Sequence, residues 1–391
     1  MWVTQHPAFF GAQPLVALTQ PCHRDRPQAA QPGRQRSGGS QPVATMALGM
    51  QAAWRVSLAG KREGAVEAHG HRDRAGDDSL TRPNHGLQMT QSAPRLPAAA
   101  PGVSPTWPAQ CLAADLRSPQ GEADPHVLAC MTTRAGGVSE GVWASLNLGD
   151  HVGDDPSHVA ANRAQVAQLW AASAVQGSGQ PVSAPWPVAW LRQVHGNHVH
   201  RLTRADVRAG AVPVIEADGV MTTERGLVCA VMVADCLPIL LAAPQGRGVA
   251  ALHAGWRGLA GCDAMGGRGI VEVGVSQLCA ATGSQPGDLV VWLGPCIGPS
   301  AFQVGAEVLT AFGVDPQAAD LGPHFRVDEG SAPGARRWWA DLAGLARARL
   351  QSLGVGVVQG GEWCTVSSPE RFFSYRRDGV TGRQAALIGL R

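Results

Sequence analysis

Two apolar runs flanking a Gly-rich turn constrain this chain more than any other feature. Segment 228–258 reads VCAVMVADCLPILLAAPQGRGVAALHAGWRG. The first run, Val228–Val233, is short and β-branched and gives way to Ala234, Asp235, Cys236 and a proline, which predicts a buried strand ending at a polar rim. The second, 249–252, follows the turn 245–248 and ends at His253, with Gly255, Trp256, Arg257 and Gly258 behind it. A thiol and an imidazole are therefore expected at two strand ends, where a rigid sheet can fix side-chain geometry.

The 391 residues are not uniform. Residues 1–105 carry 11 Lys+Arg against 6 Asp+Glu, and stretches such as QPCHRDRPQAAQPGRQRSGGSQP hold too few apolar residues to offset chain entropy. Residues 1–122 are read as a disordered extension or a start codon placed too early, with Met46, Met50 and Met89 as later starts. Scattered charges of mixed sign argue against a nucleic-acid partner. The opening segment lacks the basic region and apolar stretch of a secretory signal, and no run is long enough to span a membrane. Nine cysteines without a C-x-x-C pair suit reduced thiols in a cytoplasmic enzyme; the sequence leaves monomer and homodimer both open.

The folded part, 123–391, is expected to begin with a strand at 126–131. A Gly-rich loop opened by Arg134 follows, then a helix started by Asp155 and Pro156 and running to about Trp170. Strands are expected at 188–191, ending in Arg192, Gln193 and His195, and at Gly219–Thr222, which should hairpin into the central pair. Helices are expected at 269–281, 305–312 and 339–353, with strands at 289–293 and at the C-terminus.

His195, Cys236 and His253 are three soft or borderline donors, the number a catalytic zinc site uses when it keeps a fourth position open. Their gaps match no local zinc signature, and a Cys-His nucleophile and base pair is equally compatible. Asp218 and Asp235 could orient a ligating imidazole.

The motifs TTRAGGVS, NLGDHVGDDPSHVAANR, WLRQVHG, ADGVMTT, VMVADCLPIL, AALHAGWRGLAG, WLGPCIGP and FFSYRRDGVTGRQAALI occur in this order. Together they closely resemble the YfiH and laccase-domain family across about 125–391. The resemblance implies a single α+β domain of mixed β-sheet flanked by helices, like the cytotoxic-necrotizing-factor-like cysteine hydrolases, with zinc (or copper) on His195, Cys236 and His253. It further implies phosphorolysis of purine nucleosides with phosphate, and deamination of adenosine. For phosphate the available cations are Arg134, Arg192 and Arg257, Arg134 foremost; Asp235 is the guess for proton shuttling, since the deaminase signature H-x-E with P-C-x-x-C is missing. One departure is a longer segment after His253, AGCDAMGGRGIVE.

Two rival readings follow from the same residues. A copper polyphenol oxidase would need many imidazoles, and 123–391 holds eight His with one His-x-His pair, His198 and His200. A cysteine hydrolase editing peptidoglycan precursors would use Cys236 as nucleophile and His253 as base.

Overall fold

The structure, a computed structural model, describes residues 109–175, 185–332 and 334–391, all within the unit Ala93–Arg391. The expectation for 1–108 lies outside the described residues. In chain order the first strands are β1 (Cys111–Ala113), β2 (Val127–Thr132), β3 (Val188–Ala189), β4 (Leu191–Arg192), β5 (Val199–Arg201), β6 (Ile215–Glu216), β7 (Gly219–Thr222) and β8 (Val228–Val233). They continue with β9 (Leu237–Ala243), β10 (Gly248–Ala254), β11 (Val290–Leu293), β12 (Gln303–Val304), β13 (Phe325–Val327), β14 (Trp338–Ala340), β15 (Val357–Gly360) and β16 (Gln384–Leu390). The helices are α1 (Pro156–Val175), α2 (Trp256–Ala260), α3 (Ile270–Thr282), α4 (Ala306–Ala311), α5 (Leu342–Ser352) and α6 (Tyr375–Asp378).

Two mixed sheets dominate, one ordered β1-β2-β16-β8-β3 and the other β15-β11-β9-β10-β7-β5. Strand alternation shows how they stack. On β8, Cys229, Val231 and Val233 join Leu240, Ala242, Val249 and Ala251 in one core between the sheets. The opposite residues of β8, Val228, Ala230 and Met232, pack with Val166 and Trp170 of α1. On the far side Leu237, Ile239, Leu241, Ala250 and Leu252 meet Ile270, Val275 and Leu278 of α3 and Leu345 and Leu350 of α5. The α+β domain is thus a four-layer stack of helix, sheet, sheet and helices. Every residue of β8, β9 and β10 is buried, which is why these runs read as continuously apolar rather than alternating.

The structure corrects several sequence expectations. Strand pairing extends to the N-terminal side of residue 123, where β1 pairs with the edge of β2 and Arg117 bridges Ala123. Gly219–Thr222 does not hairpin onto β8; it pairs with β10, while β8 belongs to the other sheet. Between them, Leu237–Ala243 is a full strand that the sequence reading left unassigned. Residues 338–340 are a strand rather than the first turn of a helix, and Asp341 caps α5 by accepting from the Gly344 N–H at 2.8 Å. The 188–191 strand breaks into β3 and β4 at Trp190, and α1 runs beyond Trp170 to Val175. No helix among the described residues is long and apolar enough to cross a membrane.

Candidate metal centre

The link Ala234, Asp235 and Cys236 carries the chain from one sheet to the other, so Cys236 lies at the mouth between them. The antiparallel register of β9 and β10 pairs Leu237 with Ala254 and Pro238 with His253, which brings Cys236 and His253 to the same sheet end. Asp235 sits at φ 100°, backbone that L side chains rarely adopt, where the chain turns from β8 to β9. His195 arrives from a different direction. Gln193 fixes the approach by acting as a surrogate strand: its side chain accepts from the Met232 N–H and donates to the Met232 carbonyl, both at 2.8 Å. His195 itself has φ 61°.

Asp218, fully buried, organises the two histidines. The His253 N–H donates to the Asp218 carbonyl at 2.7 Å, and His253 Nδ1 lies 2.8 Å from Asp218 Oδ1. The same carboxylate accepts the main-chain N–H groups of His195 at 2.8 Å, Gly196 at 2.7 Å and Val194 at 3.2 Å. One buried anion therefore orients one imidazole and pins the loop that delivers the other; without these donors its burial would be very costly.

The donor atoms of His195, Cys236 and His253 lie within 4.8 Å of one another. Cys236 Sγ is 3.6 Å from His195 Nε2, and the two imidazole rings meet edge to face at 4.8 Å between centroids. Gly255 leaves room for this packing, since a Cβ there would fall 2.7 Å from His195 Cδ2 and 3.2 Å from Cys236 Sγ. Burial pushes the Cys236 thiol up, but the charge of His253 and hydrogen bonds from both histidines outweigh it and bring it down to about 6. Burial pushes His253 down, and the Cys236 charge and the Asp218 hydrogen bond more than reverse this, raising it to about 9. Asp218 is likewise pushed up by burial, yet His253 and the loop amides hold it below the usual carboxylate value. With Nδ1 committed to Asp218, His253 has Nε2 left for the cluster, the arrangement of a ligating histidine supported by a carboxylate. Two nitrogens and one sulfur are a donor set that fits a catalytic zinc, and the same donors suit copper(II).

The other residues singled out from sequence are placed differently. Asp235 does not touch either histidine: its carboxylate accepts Thr365 Oγ1 and the Arg376 N–H, both at 2.6 Å, so it ties two loops to the rim. Arg134 points at protein rather than at an open site, donating to the Ala144 and Pro369 carbonyls and stacking on Phe373. Arg192 is an exposed ion pair with Glu216 at 2.9 Å. Arg257 stacks on its neighbour Trp256 at 4.5 Å. The longer segment after His253 forms a short turn, Asp263–Met265, and Asn197 ties it to the His195 loop by donating to the Met265 and Arg268 carbonyls.

Residues 128–391 match the family model described as multi-copper polyphenol oxidoreductase laccase. The chain belongs to that family. Among the curated members it resembles is the purine nucleoside phosphorylase YfiH of Escherichia coli (strain K12), 42% identical over 273 residues, 70% of this chain and 97% of the relative. The purine nucleoside phosphorylase PA4543 of Pseudomonas aeruginosa is 41% identical over 276 residues, 70% of this chain and 97% of that one. Of solved structures, the Neisseria meningitidis protein NMB0706 superposes with a TM-score of 0.55 at 40% identity, covering 72% of this chain and 99% of that chain. YlmD from Geobacillus stearothermophilus gives 0.56 at 33% identity, covering 69% and 94%. Despite the family's description, the described residues bring together one cluster of three His and Cys donors, far short of the imidazoles that several copper centres would need.

Proposed function

We propose that this protein is a zinc-dependent purine nucleoside phosphorylase, splitting a nucleoside with phosphate into free base and ribose 1-phosphate. The observation that carries the reading is the Asp218-braced set His195, Cys236 and His253, in a chain whose curated relatives bear that name. Phosphorolysis breaks the N-glycosidic bond at the ribose C1′ while a phosphate oxygen bonds there, so the site must hold an anion and stabilise the departing purine. Zinc held by these three residues would supply a Lewis acid with one open position. The chain's own contribution is orientation. Asp218 keeps the His253 Nδ1 proton in place and so presents Nε2 to the cluster; Gln193 and the Asp218 amide bonds keep the His195 loop from drifting.

Deamination of adenosine, also implied by the resemblance, asks for a carboxylate free to pass protons. Asp218 and Asp235 are both held by hydrogen bonds, which favours phosphorolysis as the principal reaction.

One observation favours a second reading. Cys236, His253 and Asp218 also form the sequence of contacts of a thiol nucleophile, its base and the base's orienter, with the thiol pushed down to about 6. A metal-independent cysteine hydrolase would use them so. Purified protein given inosine and phosphate is expected to release hypoxanthine and ribose 1-phosphate, with activity removed by a chelator and restored by zinc. No ribose 1-phosphate from inosine, together with hydrolysis of an amide or ester substrate that is indifferent to chelation and abolished by iodoacetamide, would favour the hydrolase instead.

A further inference from the structure

Of the cations suggested for phosphate, Arg134 is engaged by carbonyls and Arg192 by Glu216, while Arg257 lies flat against its neighbour Trp256. Arg383 is different. It stands one residue before Gln384, which pairs with Val233 at the end of β8, and Asp235 and Cys236 follow Val233 by two and three residues. It therefore belongs to the same sheet end as the metal cluster. The loop after β2 cradles it: its N–H donates to Asn147 Oδ1 at 2.8 Å, its carbonyl accepts from the Leu148 N–H, and Gly149 passes so close that a Cβ there would meet Arg383 Cγ at 2.8 Å. Only Nη1 of its guanidinium is bonded, to the Thr381 and Gly382 carbonyls at 3.1 and 3.0 Å. Nε and Nη2 have no partner, and no carboxylate salt-bridges the group among the described residues.

Of the neighbouring arginines two are held by carboxylates, and the third, Arg376, which likewise has only Nη1 bonded, is exposed where Arg383 is half-buried. Arg163 pairs with Asp150 at 3.3 Å, Arg377 with Asp378 at 2.7 Å, and Arg376 donates to the Ala301 and Gln303 carbonyls. A half-buried guanidinium with two open donors is an incomplete ion pair, and a planar fork suits a phosphate oxygen pair. Its field already reaches the cluster: burial lowers its own affinity for a proton, the charges of Cys236 and Asp235 act against that, and His151 is pushed down by burial and by Arg383.

We propose that Arg383 is the seat of the phosphate co-substrate, its Nε and Nη2 gripping two oxygens of the dianion at the sheet end that carries Cys236. The assignment rests on the phosphorolysis reading, but anion binding can be read without turnover. With metal-loaded protein, inorganic phosphate is titrated by 31P line broadening, and inosine and phosphate KM are measured separately. Arg383→Gln is expected to weaken phosphate binding and raise its KM about 10- to 100-fold while changing the inosine KM less than about twofold. Arg134→Gln and Arg192→Gln are expected to leave phosphate binding unchanged. A variant-free check uses phenylglyoxal, which labels accessible arginines; peptide mass spectrometry should show phosphate slowing modification of Arg383 more than chloride does. Arg383→Gln protein that binds phosphate like the parent, or phosphate protection falling on Arg134 rather than Arg383, would overturn the proposal. Phosphate binding that depends on Arg383 in protein that cleaves no nucleoside would retain the anion seat and remove the phosphorolysis reading.

Discussion

Cys229 and Cys236 lie seven residues apart on one segment and are chemically opposite. Cys229 faces the core between the sheets, where burial pushes its thiol far up with nothing to offset it. Cys236 is pushed the same way by burial, but two imidazoles stand beside it and reverse the outcome. The strand interior and its rim thus differ in partners rather than in residue type. The same contrast separates Leu252 from His253, adjacent residues of β10 of which only the second meets a carboxylate.

The sharpest way to break the contrast is to exchange the two cysteines' fates. Cys236→Ala is expected to abolish zinc binding and turnover, whereas Cys229→Ala keeps both, as read by metal analysis and nucleoside cleavage. Removing the brace should act more mildly. Asp218→Asn is expected to lower zinc affinity about 10- to 100-fold, measured by competition with a chromophoric chelator; an unchanged affinity would show that the carboxylate serves the fold alone. Gly255→Ala puts a methyl against His195 and Cys236, with an expected destabilisation of about 1–3 kcal/mol in urea titrations and partial metal loss.

Acidity gives a further test on metal-free protein. Cys236 falls from its ordinary 9.0 to about 6, so its contribution to stability is full above 9 and is lost as pH falls through about 6. His253 rises from 6.5 to about 9, so its contribution is full below 6.5 and is lost as pH rises through about 9. The thiolate–imidazolium pair is accordingly expected between about pH 6 and 9, with iodoacetamide labelling Cys236 across that window and leaving Cys229 untouched. Labelling of Cys236 that begins only above pH 8 would contradict the pair. The smallest effect expected is the cost of Cys229→Ala, about 1 kcal/mol for the lost buried volume.

Much of this contrast was legible in the sequence, because apolar runs that stop at reactive residues mark strand ends. What it could not give was which strands are neighbours. Leu237–Ala243 escaped notice because Pro238 interrupts it, yet the His253 N–H is directed to Asp218, so no ladder bond between this pair is lost. The run 339–353 is read as one helix from the spacing of Leu342, Leu345, Ala346, Leu350 and Leu353, and only the pairing of β14 with β12 and β13 pulls Trp339 into a strand with Trp338. His195, Cys236 and His253 were found as candidates, and Asp218 with them, but the division of labour between Asp218 and Asp235 depends on register. Arg383 has no such mark, since it precedes the apolar run QAALIGL rather than following it, and only the antiparallel pairing of Gln384 with Val233 brings it to the sheet end of Cys236.

The most direct test is to count the metal. Protein purified without added ions and analysed by inductively coupled plasma mass spectrometry is expected to hold one zinc per chain, and His195→Ala, Cys236→Ala and His253→Ala each close to none. Nucleoside cleavage persisting in all three variants, with no stoichiometric ion in the parent, would contradict a shared centre.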